Sequence, residues 1–362
     1  MTDLLYSDTE DALRDSVREL FADRCPPETV ARAYDPEPQD FSALWRTLAA
    51  ELGVAGLLVP EGLGGAGAGP RETAVVMEEI GRAVAPVPFL SSAVLATVAL
   101  LRAGDTETVP ALARGELTAA LVVPLSAAPG DSVAAVAISA DGLAGTVTSV
   151  AGAAQADVLV VPVAGAGGLE LHTVAADGAG VEISPRVALD MTRPLADVSF
   201  SGAASARVGP AGAAIDEALE TGAALLASEQ LGVARWCFDA TLSYAKQRKQ
   251  FGRLIGSYQA IKHRLADLWF EVGAATAAAR YAADACARGE DVGVAAATAQ
   301  AYCSGAAVHA AEECVQLHGG IGMTWEYPAH LYLKRAKSDQ LALGSAYRHR
   351  SRLGELVGLP PS

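Results

Sequence analysis

The hydrophobic positions change their period twice along the chain. In the first stretch Leu13, Val17, Leu20 and Phe21 recur at the spacing of one helix face, behind Ser7 and Glu10, which have the spacing of a capping box. Phe41 to Leu52, Pro70 to Val84, Leu90 to Arg102 and Thr106 to Leu117 read as further helices, separated by glycine and proline where helices stop. From Thr118 to Val208 the pattern shortens to β-branched runs divided by Gly, Asp and Pro: 132–138, 145–150, 157–163, 169–174, 181–183 and 196–200. These predict a small β-barrel or sandwich. Past Pro210 the helical spacing returns, in Ile215, Leu219, Leu226 and Val233 and again in Leu265, Trp269 and Val272. The stretches 213–248, 259–288 and 292–317 far exceed the average helix of about 11–12 residues, and shorter ones follow to Leu356. Long helices joined by short loops predict a four-helix bundle. The expected class is α+β, with a helical domain over 1–117, a β-domain over 118–210 and a helical bundle over 211–362.

Composition sharpens this picture. The 362 residues are 51% hydrophobic and 19% charged, enough for a large continuous core. The longest apolar runs are shorter or more interrupted than the ~20 residues that cross a bilayer, and the first residues carry acids where an export signal carries bases. A cytoplasmic protein with no membrane span is expected. The net charge of −15 argues against nucleic acid as a partner. Residues 211–362 hold 15 of the 27 Lys and Arg and 15 of the 42 Asp and Glu, so the whole excess lies in residues 1–210. Five scattered cysteines without a C-x-x-C spacing read as small buried hydrophobes.

Several chemistries find no support. Gly62, Gly64 and Gly67 have the G-x-G-x-x-G spacing, yet helical sequence runs on where a dinucleotide fold needs a second strand, so they read as an inter-helix loop. No zinc-protease, nucleophile-elbow or P-loop pattern occurs, and no metal site is expected. The informative stretch is 239–267, where Lys246, Arg248, Lys249, Arg253, Lys262 and Arg264 occur with no acid between the first and last of them. A charge run is usually a solvated face. Here Phe251 and Gly252 interrupt the helix beside the cations, leaving a turn where backbone N–H groups and Arg248 can meet an anion. A second feature is the glycine-rich break from Gln316 to Gly322 after a long helix.

Together these residues resemble the acyl-CoA dehydrogenases. Arg248-Lys249-Gln250-Phe251-Gly252, Gln259 and Leu265-Ala266-Asp267 are similar to that family's R-x-x-F-G…Q…L-A-D signature, and Gln316 to Gly322 with Glu326-Tyr327-Pro328 to its Q-x-x-G-G-x-G…E-Y-P segment. Gly56 to Glu61 with Gly64-Gly65 resemble an element of its first domain, and Asp190, Arg193 and Val198 to Phe200 the end of its β-domain. The resemblance implies desaturation of an acyl-CoA thioester, with FAD shared across a subunit interface. Arg248, Phe251, Gln316, Gly319 and Gly320 would hold the adenosine-pyrophosphate end of an FAD whose ring lies in another subunit, with electron-transfer flavoprotein as acceptor.

The ring side departs from the family pattern. The family's T-E-P reads Val122-Val123-Pro124 and its W-x-T reads Ser149-Val150-Ala151. The position of the catalytic Glu is Leu343, and the alternative base position, on the first long helix of the bundle, is Gly222. No catalytic residue is therefore assigned. The expectation is a non-catalytic subunit that completes the FAD site of a homologous catalytic subunit. Two alternatives stay open: an active homomer with an atypical base, Glu220, Glu326 or Asp339, and a non-enzymatic acyl-CoA or partner-binding module. The acyl chain is not specified.

Overall fold

A computed structural model describes residues 4–133, 136–165 and 167–360. The first helices are α1 (Asp8–Arg24), α2 (Pro27–Ala31), α3 (Ser42–Arg46), α4 (Pro70–Ala83), α5 (Thr97–Ala103) and α6 (Val109–Ala113). The capping box opens α1: the Glu10 N–H donates to Ser7 Oγ at 3.2 Å, and the Ser7 N–H donates to Glu10 Oε2 at 2.6 Å. Three of the helices predicted here have other forms. The stretch from Phe41 is α-helical only to Arg46 and then widens into a π-helical turn, Thr47–Glu51. Phe89–Ala96 is likewise π-helical before α5. The helix expected from Thr106 begins at Val109, because the Asp105 carboxylate accepts the Thr108 and Val109 N–H groups at 2.7 and 2.9 Å and holds the chain in a capping turn.

The middle of the chain forms one mixed sheet. Its strands are β1 (Ala119–Leu121), β2 (Val136–Ser139), β3 (Gly142–Ala151), β4 (Val158–Gly165), β5 (Gly168–Ala175), β6 (Val181–Arg186), β7 (Leu195–Ala203) and β8 (Ala206–Pro210). The order is β6-β7-β3-β2-β4-β5-β8, with β1 parallel to β4. Sequence reading missed β1 and β8. Strand β1 is three residues without a β-branch, made a strand by pairing with β4, whose Val158 donates its N–H to Thr118 O at 3.1 Å. Part of the expected 132–138 run, residues 134–135, lies outside the described residues.

The last part is helical: α7 (Gly212–Gln247), α8 (Gln259–Arg288), α9 (Val292–His318), α10 (Ala329–Leu341) and α11 (Ala346–Leu356). A two-stranded hairpin, β9 (Lys249–Gln250) and β10 (Arg253–Leu254), separates α7 from α8. Helix α7 is the spine, with α9, α4 and α8 against it. Its crossing with α4 is a backbone contact. A Cβ on Gly81 would fall 1.9 Å from Glu229 O, and one on Gly232 would fall 1.9 Å from Glu78 O, so glycine is required on both helices.

A buried charge cluster joins the sheet to the bundle. Arg335, 1% exposed, donates to Asp190 Oδ2 at 2.6 Å and to Thr192 Oγ1 at 2.6 Å, and pairs with Glu229. Arg193 donates to both Glu229 oxygens, at 2.6 and 2.7 Å, and pairs with Asp339. Three carboxylates thus share two guanidinium groups. Burial, then the neighbouring Glu229, push the Asp339 carboxyl up to about 7 against the pull of Arg193. At Asp190 burial acts in the same sense, but Arg335 and Thr192 outweigh it and hold the carboxyl below its ordinary range.

Candidate functional site

At the C-terminal end of α7, Arg248 caps the helix, its N–H donating to Tyr244 O at 2.9 Å. The chain then turns through Phe251 (φ +50°) and Gly252 (φ +76°) and returns, with Ile255 N–H donating to Arg248 O at 2.9 Å. Two consecutive positive φ values give the tight hairpin turn that suits Asn-Gly and strains a phenylalanine. Phe251 nevertheless occupies it, 92% exposed. Of the cations noted in the sequence, Arg264 is taken by Glu313 in a bidentate pair at 2.7 and 2.6 Å, and Arg253 lies over the Tyr258 ring at 3.7 Å. Lys246, Arg248, Lys249 and Lys262 make no ion pair among the described residues.

The glycine-rich break follows α9 on the same side of the bundle. Gly319 takes φ +64° and ψ −139°, and a Cβ on Gly319 or Gly320 would meet nothing within 4 Å. The Gln316 side chain is exposed beside them. The Tyr244 ring, one turn before Arg248, lies 4.3 Å from that of His318, which precedes Gly319. Arg248, Phe251, Gln316, Gly319 and Gly320 therefore belong to one exposed end of the bundle. They offer a guanidinium, an aromatic face and open backbone to something outside the chain, which suits an anionic, aromatic-bearing group such as the adenosine-pyrophosphate end of FAD.

The two positions that the resemblance aligns with the family's bases, Leu343 and Gly222, meet in the structure. A Cβ on Gly222 would fall 2.5 Å from Leu95 Cδ2 and 3.1 Å from Leu343 Cδ1. Leu343 is fully buried at φ +53°, its N–H donating to Leu125 O at 2.7 Å and its carbonyl accepting from His349 Nε2 at 2.8 Å. The Leu125 N–H donates in turn to Ser149 O at 3.0 Å. The stretches aligned with T-E-P and W-x-T are thus stitched to Leu343, with Val122, Val123 and Val150 buried beside them. The side chains of Leu95, Leu343, Val122, Val123 and Val150 carry no group that could accept a proton.

The three acids weighed as atypical bases lie elsewhere. Asp339 is inside the charge cluster, and Glu326 is exposed near the glycine-rich break. Glu220 accepts from Arg352 at 3.0 Å on a different face of α7. There it borders a cavity of about 650 Å³ with Leu58, Val98, Leu101 and Thr221. Among the described residues no cluster of His, Cys, Asp or Glu is gathered to hold a metal ion, and no helix is long and apolar enough to cross a membrane.

Family models match on both sides of the sheet: the acyl-CoA dehydrogenase N-terminal domain over residues 7–116 and its C-terminal domain over 212–357. The chain belongs to the acyl-CoA dehydrogenase family. Acyl-CoA dehydrogenase IpdE2 of Mycolicibacterium smegmatis is 36% identical over 353 residues, 96% of this chain and 98% of that protein. Among solved structures, a chain of the ChsE4-ChsE5 complex from Mycobacterium tuberculosis matches with a TM-score of 0.88 and 28% identity over the whole of both chains. The Tcur3481-Tcur3483 steroid acyl-CoA dehydrogenase matches with a TM-score of 0.85 and 30% identity over 97% of this chain and 98% of that one. The family's helical, sheet and helical architecture is the one read from the hydrophobic periods. Sequence reading did not find Leu95, which fills the space beside Gly222. An apolar residue on an apolar helix carries no local sign of what it will touch.

Proposed function

We propose that this chain is the non-catalytic subunit of a heteromeric, FAD-dependent acyl-CoA dehydrogenase. The observation that carries the reading is the closed contact of Gly222, Leu95 and Leu343, where a subunit doing its own chemistry needs a carboxylate. The exposed end of the bundle supports the other half. Phe251 holds a strained turn with its ring in solvent, and among the described residues no packing of that ring offsets the cost. In this reading Arg248, Phe251, Gln316, Gly319 and Gly320 bind the adenosine-pyrophosphate end of FAD, while the partner carries the flavin ring, which takes up the hydride. This chain's residues bind and orient, and they hold no proton in the reaction.

The partner is a homologous catalytic subunit, and electron-transfer flavoprotein is the acceptor. Two solved structures similar to this one are named as pairs, and one of these as a steroid acyl-CoA dehydrogenase, so a bulky polycyclic acyl-CoA thioester is the substrate class we assign. The test is the ratio of FAD to protein, by absorbance, for the chain alone and co-expressed with a catalytic homologue from its own genome. Little flavin alone and one FAD per unlike pair is the expected result. A stoichiometric, active homomer would overturn the proposal. One observation favours that homomer: the Glu220 carboxylate borders a cavity. Glu220→Gln would then abolish flavin bleaching by acyl-CoA, whereas our reading expects no effect on the pair.

A further inference from the structure

His318 is buried, 3% exposed, immediately before the glycines of the break. Its ring lies between two tyrosines, 4.3 Å from Tyr244 and 4.2 Å from Tyr327 between centroids, tilted by 30° and 32°. Its Nδ1–H donates to Cys314 O, one turn back in α9, at 2.7 Å. Gly322 folds over it so closely that a Cβ there would stand 3.0 Å from His318 Cβ and 2.4 Å from Val315 O. The two tyrosines and the glycine that follows belong to segments of the exposed end. Tyr244 accepts the Arg248 N–H, Gly319 follows in sequence, and Tyr327 sits in the Glu326-Tyr327-Pro328 stretch. Without this ring, the ends of α7 and α9 and the loop after them lose the side chain that all three share.

We infer that His318 is the positioning residue of the half-site, setting Arg248 and the Gly319–Gly320 backbone at the mutual spacing that a shared dinucleotide requires. The inference rests on the proposed function and adds to it the device that holds the two signatures in register. The stack of three rings does this work, and the hydrogen bond to Cys314 O orients the middle ring within it.

Two variants separate the parts. His318→Phe keeps a ring between the tyrosines and loses the donor, while His318→Asn keeps a donor and loses the ring. Both are to be titrated with FAD as pairs with the catalytic subunit, following flavin fluorescence, and melted as the single chain without flavin. Two lost ring contacts predict FAD binding weakened about tenfold in His318→Asn, with His318→Phe close to the parent. His318→Asn should also melt lower as a single chain, because both ring contacts lie within it, yet both variants should stay folded at the titration temperature, so that the weakened FAD binding of His318→Asn is not a loss of folded chain. The inference is overturned if His318→Asn pairs bind FAD as the parent does, or if both variants lose affinity only in proportion to lost folding. A parent pair that binds no flavin at all overturns the proposed function itself, which keeps the two failures distinct.

Discussion

At Leu343 a large side chain sits in the left-handed region, and its burial outweighs the strain because Gly222 leaves room for it on α7. Leu343→Ala should cost about 2–4 kcal/mol in urea denaturation, the usual range for emptying a buried leucine site. Leu343→Glu should be more destabilised still and show no bleaching by acyl-CoA, since its carboxylate would enter an apolar contact without a partner. Asp339 makes a different kind of prediction. Its folded value, about 7, lies above the ordinary 3.8, so its contribution to stability is complete below about pH 4 and is lost as pH rises through about 7. Asp339→Asn keeps the neutral form and leaves two carboxylates facing two guanidinium groups. Relative to the parent it should gain on the order of 2–4 kcal/mol between about pH 5 and about pH 8, read as the change in urea midpoint. A constant difference across that range would show that Asp339 is ionised throughout. The proposed half-site could be read at this scale because arginine, aromatic and glycine letters carry their own chemistry, and the structure gathers Arg248, Phe251, Gln316, Gly319 and Gly320 at one end of the bundle. The closed contact was legible only as missing letters, and Leu95 and the charge cluster were not, since Leu95 meets Gly222, and Arg335 meets Asp190 and Glu229, across more than a hundred positions.

Helix boundaries were legible where the cause is local. The capping box at Ser7, Pro70 at the start of α4 and the Phe251-Gly252 turn all lie within a few residues of the boundary they set. The π-helical turns at Thr47–Glu51 and Phe89–Ala96 have no such sign. Phe89–Ala96 is buried throughout and Thr47–Glu51 is buried over Thr47, Leu48 and Ala49, so their form is set by packing against the rest of the chain and not by a local signal. The glycines that make the backbone contact of α4 with α7 are no more legible: Gly81 and Gly232 each stand against a carbonyl of the other helix, while Gly273 on α8 has nothing within 4 Å, and the sequence does not distinguish them. A methyl at Gly232 would stand 1.9 Å from a carbonyl oxygen in the middle of α4 and has no flexible neighbour to displace. Gly232→Ala should therefore cost roughly 3 kcal/mol by forcing two helices apart, whereas Gly273→Ala should stabilise slightly, by about 0.5–1 kcal/mol, from helix propensity alone. Thermal melts of the two variants give opposite signs if the α4–α7 contact is as described.

Across the whole molecule, net charge and exposed large aromatic side chains are unevenly distributed. The net −15 resides in residues 1–210, while the neutral remainder carries Trp269 and Phe270, 66% and 69% exposed, with Met323, Trp325 and Tyr347 also in solvent. A surface without net charge that bears large exposed aromatic side chains is costly to leave wet and suited to burial against another subunit. This is the domain that also carries the proposed half-site, so the same association that covers the aromatics would bring Arg248 and Gly319 to a partner's cofactor. Trp269 and Phe270 are exposed on α8, so Trp269→Glu with Phe270→Glu removes apolar area without opening the core. The doubly substituted chain should keep its far-ultraviolet spectrum and melting temperature when alone. Co-expressed with the catalytic homologue, it should sediment as separate chains and retain far less FAD than the parent pair. If the pair forms undiminished and still holds one FAD per unlike pair, α8 lies outside the interface. The shared cofactor would then have to be reached from the Gln316 to Tyr327 side alone.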